Sequence, residues 1–305
     1  MSIAFVFPGQ GAQYLGMGRE LALSSKLVME YFERADAALG FSLSKLCWEG
    51  PSEDLTLTEN AQPAILTMSC AAAALAREQH VHPAAAAGLS LGEYSALVTA
   101  GMLDFETAVK LVAKRGRYMQ QAVPAGTGGM AAVFGLDDEA VLEICQRSGG
   151  VVEPANYNCP GQIVISGEQV AVAEAVELAK EKGARRAMAL EVSAPFHSSM
   201  LQPAAEKLAA DLAELEFSEP EFPVLSNVDA RPVTVENVRE LLAKQVASPV
   251  LWQQCVEKLA AMGITTLVEA GPGRVLSTLA RKIDRSLKTK KLEVPEDLEQ
   301  LREEF

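Results

Sequence analysis

The stretch that most constrains the fold reads Ala84-Ala85-Ala86-Ala87-Gly88-Leu89-Ser90-Leu91-Gly92-Glu93. A short run of small apolar residues meets Gly-x-Ser-x-Gly. Leu91, Tyr94, Leu97 and Val98 then follow at helical spacing. A strand, a sharp turn at the serine and a departing helix make a nucleophile elbow. Gly88 and Gly92 suit it because side chains there would collide with the turn. Ser90 is then expected at the carboxyl end of a strand, beside helix amides that favour negative charge.

Ile3-Ala4-Phe5-Val6-Phe7 reads as a buried strand. It runs into Pro8-Gly9-Gln10-Gly11-Ala12-Gln13. That loop is either a plain tight connection or a backbone that must approach something closely. It lacks both glycine patterns of nucleotide-binding loops, which argues against dinucleotide and nucleoside triphosphate binding. Helices are predicted near 26–39 and 63–79, with Pro63 in the first turn of the second, where its missing amide costs nothing. Another is predicted over 105–123, with Arg115 among Ala108, Leu111, Val112, Tyr118 and Met119. An unpaired charge is costly to bury. Either the stem lies on the core while the head reaches water, or the head waits for an anion.

Residues 125–192 read as strand, helix, strand, strand, helix, strand, the order of a ferredoxin-like unit. They are expected to form a small subdomain inserted in a larger domain of 1–124 and 193–285, with a ligand cleft between the two. The chain returns through Ser193-Ala194-Pro195-Phe196-His197-Ser198-Ser199. Strands near 223–228 and 265–269, separated by helices, imply an α/β fold with a mainly parallel sheet. Residues 286–305 are expected to be a loosely attached tail.

Net charge is -13, which speaks against nucleic acid as a partner. The cysteines Cys47, Cys70, Cys145, Cys159 and Cys255 are scattered without metal-ligand spacing, and no signal peptide is expected before Ile3. A reducing cytoplasm is expected. No apolar run reaches the roughly 20 residues a membrane helix needs.

A serine hydroxyl needs a base within reach. The chain has 3 histidines. His80 and His82 enter the elbow strand at the end opposite the serine, which leaves His197, on a loop where the chain re-enters the main domain. No carboxylate is evidently placed to orient it, so a main-chain or amide carbonyl is expected to hold its tautomer. Such a pair suits thioesters, which are already activated.

Six segments in order, Phe7 to Gln13, Gly88 to Glu93, Arg115-Gly116, Asn158 to Gln162, Ala194 to His197 and Glu269 to Gly273, resemble the malonyl-CoA:acyl carrier protein transacylases of fatty acid synthesis. The likeness runs to about Asp284. It implies an α/β-hydrolase-like core with a ferredoxin-like insert, Ser90 as nucleophile, His197 as base, and the amides of Gln10 and Leu91 as oxyanion hole. It implies that Arg115 holds the malonyl carboxylate and that Phe196 goes with malonyl rather than branched acyl groups. Asn158 falls on a motif loop facing the cleft, with no role assigned. Malonyl-CoA and acyl carrier protein are the implied partners, with no cofactor. Lys288, Lys290, Lys291, Arg281, Lys282 and Arg285 are candidates for docking an acidic carrier protein. The chain departs from the family pattern at Leu89, where a histidine is usual, and at Leu251, where a glutamine often orients the base; only the main-chain carbonyl of Leu251 could do so. Alternatives are a related transferase of a polyketide synthase or malonate decarboxylase, a serine thioesterase or hydrolase, and a non-catalytic docking scaffold.

Overall fold

A computed structural model describes residues 2–192 and 194–304; Ser193, where the chain is expected to re-enter the main domain, lies outside them. The strands in chain order are β1 (Ile3–Phe7), β2 (Ala85–Gly88), β3 (Gly128–Phe134), β4 (Val152–Cys159), β5 (Gln162–Glu168), β6 (Arg186–Ala189), β7 (Val224–Leu225), β8 (Thr266–Ala270) and β9 (Lys288–Leu292).

The larger sheet runs β7-β2-β1-β8-β9, with every neighbouring pair parallel. Its central strands are apolar on both faces because helices cover both. Phe5, Phe7 and Ala86 join a core with the helix Thr58–Glu78, while Ala4, Val6, Ala85 and Ala87 join a second core with Trp252, Val256 and Leu259. The register pairs Phe7 with Gly88. The glycine-rich loop after β1 and the turn after β2 therefore leave the sheet side by side, at the carboxyl edge where open α/β sheets bind ligands.

The smaller sheet runs β4-β5-β3-β6, all antiparallel. One face packs on the helices Asp138–Arg147 and Gln169–Glu181. The other turns toward the main sheet's core, sending Met130, Ala132, Ala155 and Val164 into it. This is the βαββαβ order expected for 125–192.

Two expectations fail. The long helix starts at Thr58, not Pro63, so Pro63 sits inside it. The helix is buried along nearly its whole length from Thr58 to Ala76, and packing outweighs one missing amide bond. The tail is not loose. Residues 288–292 form β9 at the edge of the main sheet, and the helix Pro295–Glu304 packs on it, with Leu287, Leu292 and Leu301 buried.

Candidate active site

Ser90 sits at φ 53°, in the left-handed region that side chains other than glycine's rarely adopt. The turn that forces this is tight. A Cβ on Gly88 would lie 1.9 Å from the Gly92 carbonyl carbon, and one on Gly92 would lie 2.1 Å from the Phe7 carbonyl oxygen. The glycines are therefore steric requirements, as the sequence implies. Gly9 is pressed against the elbow as well: a Cβ there would lie 2.5 Å from the Leu89 carbonyl oxygen. This close approach decides the reading of the first loop.

His197, also at positive φ (62°), faces the serine. Its Nε2 lies 2.7 Å from Ser90 Oγ, and its Nδ1 lies 2.9 Å from the main-chain oxygen of Gln245. A carbonyl can only accept, so Nδ1 carries the proton and Nε2 offers its lone pair to the serine hydroxyl. Burial, and after it the charge of Arg115, lowers the His197 pKa from 6.5 to about 4. The ring is therefore neutral at physiological pH.

The orienting carbonyl belongs to Gln245, not Leu251. The Leu251 oxygen is taken by the amide of Cys255, at the start of the helix Trp252–Ala261. Gln245 ends the helix Val238–Gln245, and terminal helix carbonyls lack intrahelical partners. A predicted helix end downstream of His197 is the signal that could have pointed to it.

Arg115 is 1% exposed, so its head does not reach out to water. Nη1 donates to Gln62 Oε1 at 2.8 Å; Nη2 donates to Gln245 Oε1 at 2.9 Å and to Ser90 Oγ at 3.1 Å. The guanidinium carbon lies 5.4 Å from the centre of the Tyr94 ring. Nε–H is buried and, among the described residues, meets no acceptor in hydrogen-bonding geometry. Among the described residues no carboxylate forms an ion pair with Arg115. Burial pulls its pKa down, while Tyr94 and Glu93 push the other way. Neutral amide oxygens hold a desolvated cation whose charge remains available to an anion.

These groups share a cavity of about 720 Å³, lined among others by Gln10, Leu89, Ser90, Arg115, Phe196 and His197. Among the described residues the amides of Gln10 and Leu91 have no hydrogen-bond acceptor, and the Gln10 side chain is tethered to Thr58 Oγ1 at 3.2 Å. The Leu91 side chain is buried in the core, so only its amide is available. Asn158, expected on a loop facing the cleft, lies within β4, and Asn156 lines the cavity instead. His80 and His82 stay at the entering end of β2, as expected, away from Ser90.

Behind the elbow lies a layer that sequence reasoning missed. Asn227 Oδ1 accepts the Ser90 amide at 2.7 Å, and Asn227 Nδ2 donates to the Gly88 carbonyl at 2.7 Å. Glu93, fully buried, accepts from the Asn227 amide at 2.9 Å and from Gln245 Nε2 at 2.7 Å. Burial raises its pKa from 4.5 to about 7.

Among the described residues no group of three or more His, Cys, Asp or Glu is placed to hold a metal, and no helix is long and apolar enough to cross a membrane. Of the expected docking cations, Lys290 pairs with Glu304 and Lys291 with Glu293 and Asp297, so their charge is partly spent within the tail.

Residues 4–298 match the acyl transferase domain family. A malonyl CoA-acyl carrier protein transacylase of Bacillus subtilis is 50% identical over 301 residues, covering 97% of this chain and 95% of that protein. The crystal structure of an acyl carrier protein S-malonyltransferase from Vibrio cholerae superimposes with a TM-score of 0.96 at 45% identity, covering 99% of this chain and 100% of that one. A malonyl-transacylase solved in complex with a type II polyketide synthase acyl-carrier protein gives 0.98 at 42% identity, covering 100% of both chains. With its elbow, its oriented imidazole and this likeness along nearly its whole length, the chain belongs to the acyl transferase family, in the group of the malonyl CoA-acyl carrier protein transacylases.

Proposed function

We propose that this protein moves a malonyl group from malonyl-CoA to the phosphopantetheine thiol of an acyl carrier protein, through an ester on Ser90. One observation carries the reading. A buried guanidinium lies 3.1 Å from a hydroxyl that is itself 2.7 Å from an imidazole nitrogen. The hydroxyl suits acyl transfer, and the cation suits an acyl group that ends in a carboxylate. Fatty acid synthesis is the proposed setting. The polyketide carrier-protein complex among the structural neighbours supports a second setting with the same chemistry.

Ser90 Oγ attacks the thioester carbonyl carbon while His197 Nε2 takes its proton. The carbonyl oxygen becomes an oxyanion, received by the amides of Gln10 and Leu91; a donor of this kind contributes about 3 kcal/mol to the transition state. The imidazolium is supported by the Gln245 carbonyl and the negative end of that helix. The C–S bond then breaks, His197 returns the proton to the departing CoA sulfur, and malonyl-serine remains. The carrier thiol reverses these steps, giving up its proton to His197, which passes it to Ser90. Arg115 holds the malonyl carboxylate through paired N–H donors. Every role falls to a protein group, so this route draws on no metal or redox cofactor. The five free thiols, all buried, fit a reducing cytoplasm.

Intact-mass measurement after mixing with malonyl-CoA should show one malonyl adduct, absent from Ser90→Ala. An adduct that survives that substitution would overturn the reading. Adding carrier protein should move the group to its thiol. Release as free malonate instead would mark a hydrolase.

A further inference from the structure

Gln245 touches both halves of the site. Its main-chain oxygen accepts from His197 Nδ1 at 2.9 Å, and its side-chain oxygen accepts from Arg115 Nη2 at 2.9 Å. The direction of its side-chain amide is not free. Nε2 faces three acceptors: Glu93 Oε2 at 2.7 Å, Ser90 O at 3.0 Å and Asn227 Oδ1 at 3.3 Å. A flipped amide would set its oxygen against these three and its N–H groups against a guanidinium. Glu93 is 0% exposed, and among the described residues its Oε1 has no hydrogen-bond partner. A carboxylate so placed is costly to bury, yet in the mechanism above it touches neither substrate nor the reacting atoms.

We propose that the Gln245 side chain, its amide direction set by Glu93, is a positioning residue that holds Arg115 in register with Ser90 and His197. It acts through Arg115, so its effect falls on recognition of the acyl carboxylate. The main-chain oxygen that serves the base belongs to the same residue, which keeps anchor and base at a fixed separation. Gln62 braces the other arm of the guanidinium at 2.8 Å. With both arms held, the head cannot swing when a carboxylate arrives, and less order has to be imposed on binding. The inference rests on Arg115 receiving the malonyl carboxylate, as proposed above.

The experiment compares acylation of Ser90 by malonyl-CoA and by acetyl-CoA, which lacks the carboxylate. In Gln245→Met the side-chain oxygen goes while the main-chain carbonyl stays. The ratio of malonyl to acetyl kcat/KM should fall about tenfold or more, the effect of one hydrogen bond to a charged group. The loss should appear in KM for malonyl-CoA, and the acid limb of the pH profile should not move. Equal losses for the two acyl groups, or an unchanged ratio, would overturn the proposal. If Gln245→Met does not fold, Glu93→Gln serves: it puts a buried amide where the carboxylate stood, and the ratio should shift in the same direction by a smaller factor. A wild-type protein that takes no malonyl group would overturn the functional reading itself, before any ratio is compared.

Discussion

The amide of Ser90 donates to Asn227 Oδ1 at 2.7 Å, across 137 residues of sequence. The same side chain donates to the Gly88 carbonyl at 2.7 Å, so one asparagine clasps both sides of the elbow. A left-handed conformation at a residue other than glycine costs roughly 1–3 kcal/mol and persists only where its surroundings impose it. Asn227→Ala would leave a buried N–H and a buried C=O unpaired, each worth about 1–3 kcal/mol. It should therefore lower the urea midpoint and slow acylation by malonyl-CoA and acetyl-CoA together. Wild-type stability with a wild-type acylation rate would show that the elbow holds its own shape.

The acidity of His197 gives a second expectation. The folded pKa is about 4 against 6.5 for a free imidazole. Between those values the unfolded chain takes up a proton that the folded one refuses, so this group's contribution to stability is complete above pH 6.5 and falls as pH drops toward 4. Glu93 acts in the opposite sense. Its pKa of about 7 against 4.5 means that the folded state holds a proton the unfolded state has released, so stability falls as pH rises between those values. The two slopes oppose each other in wild type, and Glu93→Gln should remove one of them, so that stability falls more steeply as pH drops from 6.5 toward 4. Reactivity reads His197 directly. Labelling of Ser90 by an uncharged sulfonyl fluoride should stay level from pH 8 to about 5 and fall with a midpoint near 4. Arg115→Met, which removes one of the two depressing causes, should raise that midpoint. A wild-type midpoint near 6.5 would show that the ring is hydrated, not buried.

What the sequence disclosed and what it hid follow from range. The elbow is local: Gly88, Ser90 and Gly92 lie within one turn, and their steric need is written in adjacent letters. His197 was reachable because so few histidines compete for the role. Gln245, Asn227 and Gln62 were not, because a glutamine or asparagine in an amphipathic stretch looks the same whether it meets water or a buried guanidinium. The resemblance left the main-chain carbonyl of Leu251 as a candidate for orienting the base, whereas the helix-end carbonyl of Gln245, six residues earlier, faces His197 Nδ1. The βαββαβ unit was legible from its alternating periods and glycine turns. Strand β9 was not, since Lys288-Thr289-Lys290-Lys291-Leu292 lies at a sheet edge and is mostly exposed or half-buried. Lysine is common at such edges, where it discourages pairing with other chains.

That edge strand carries the next expectation. The β9 backbone pairs with β8 from Thr266 to Ala270, and Leu287, Leu292 and Leu301 are buried behind it. Ending the chain at Arg285 removes those apolar contacts and bares β8, whose residues are all buried. The truncated protein should be much less stable and prone to aggregate, as read by melting temperature and by light scattering. A truncated protein that melts at the wild-type temperature and scatters no more light than wild type would restore the loose-tail picture.

Gly116 follows Arg115 and lies where the helix Phe105–Gln121 crosses the helix Thr58–Glu78. A Cβ there would lie 2.5 Å from the Thr58 carbonyl oxygen and 2.8 Å from the Glu59 Cα. Both are backbone atoms and cannot turn aside. The two helices also carry Gln62 and Arg115, which bond at 2.8 Å, so pushing them apart moves the anchor away from its brace. Helix propensity alone makes alanine better than glycine by about 1 kcal/mol, so propensity and packing predict opposite signs for Gly116→Ala. Overpacking typically costs 1–3 kcal/mol. With backbone as the obstacle we expect the upper end, a net loss of roughly 1–2 kcal/mol once propensity is set against it. Preference for malonyl over acetyl groups should fall with it, because Arg115 is displaced. Urea denaturation reads the first effect and paired acylation rates the second. A variant more stable than wild type, with its preference intact, would mean that the crossing has slack and that Gly116 is not what lets Arg115 reach Ser90.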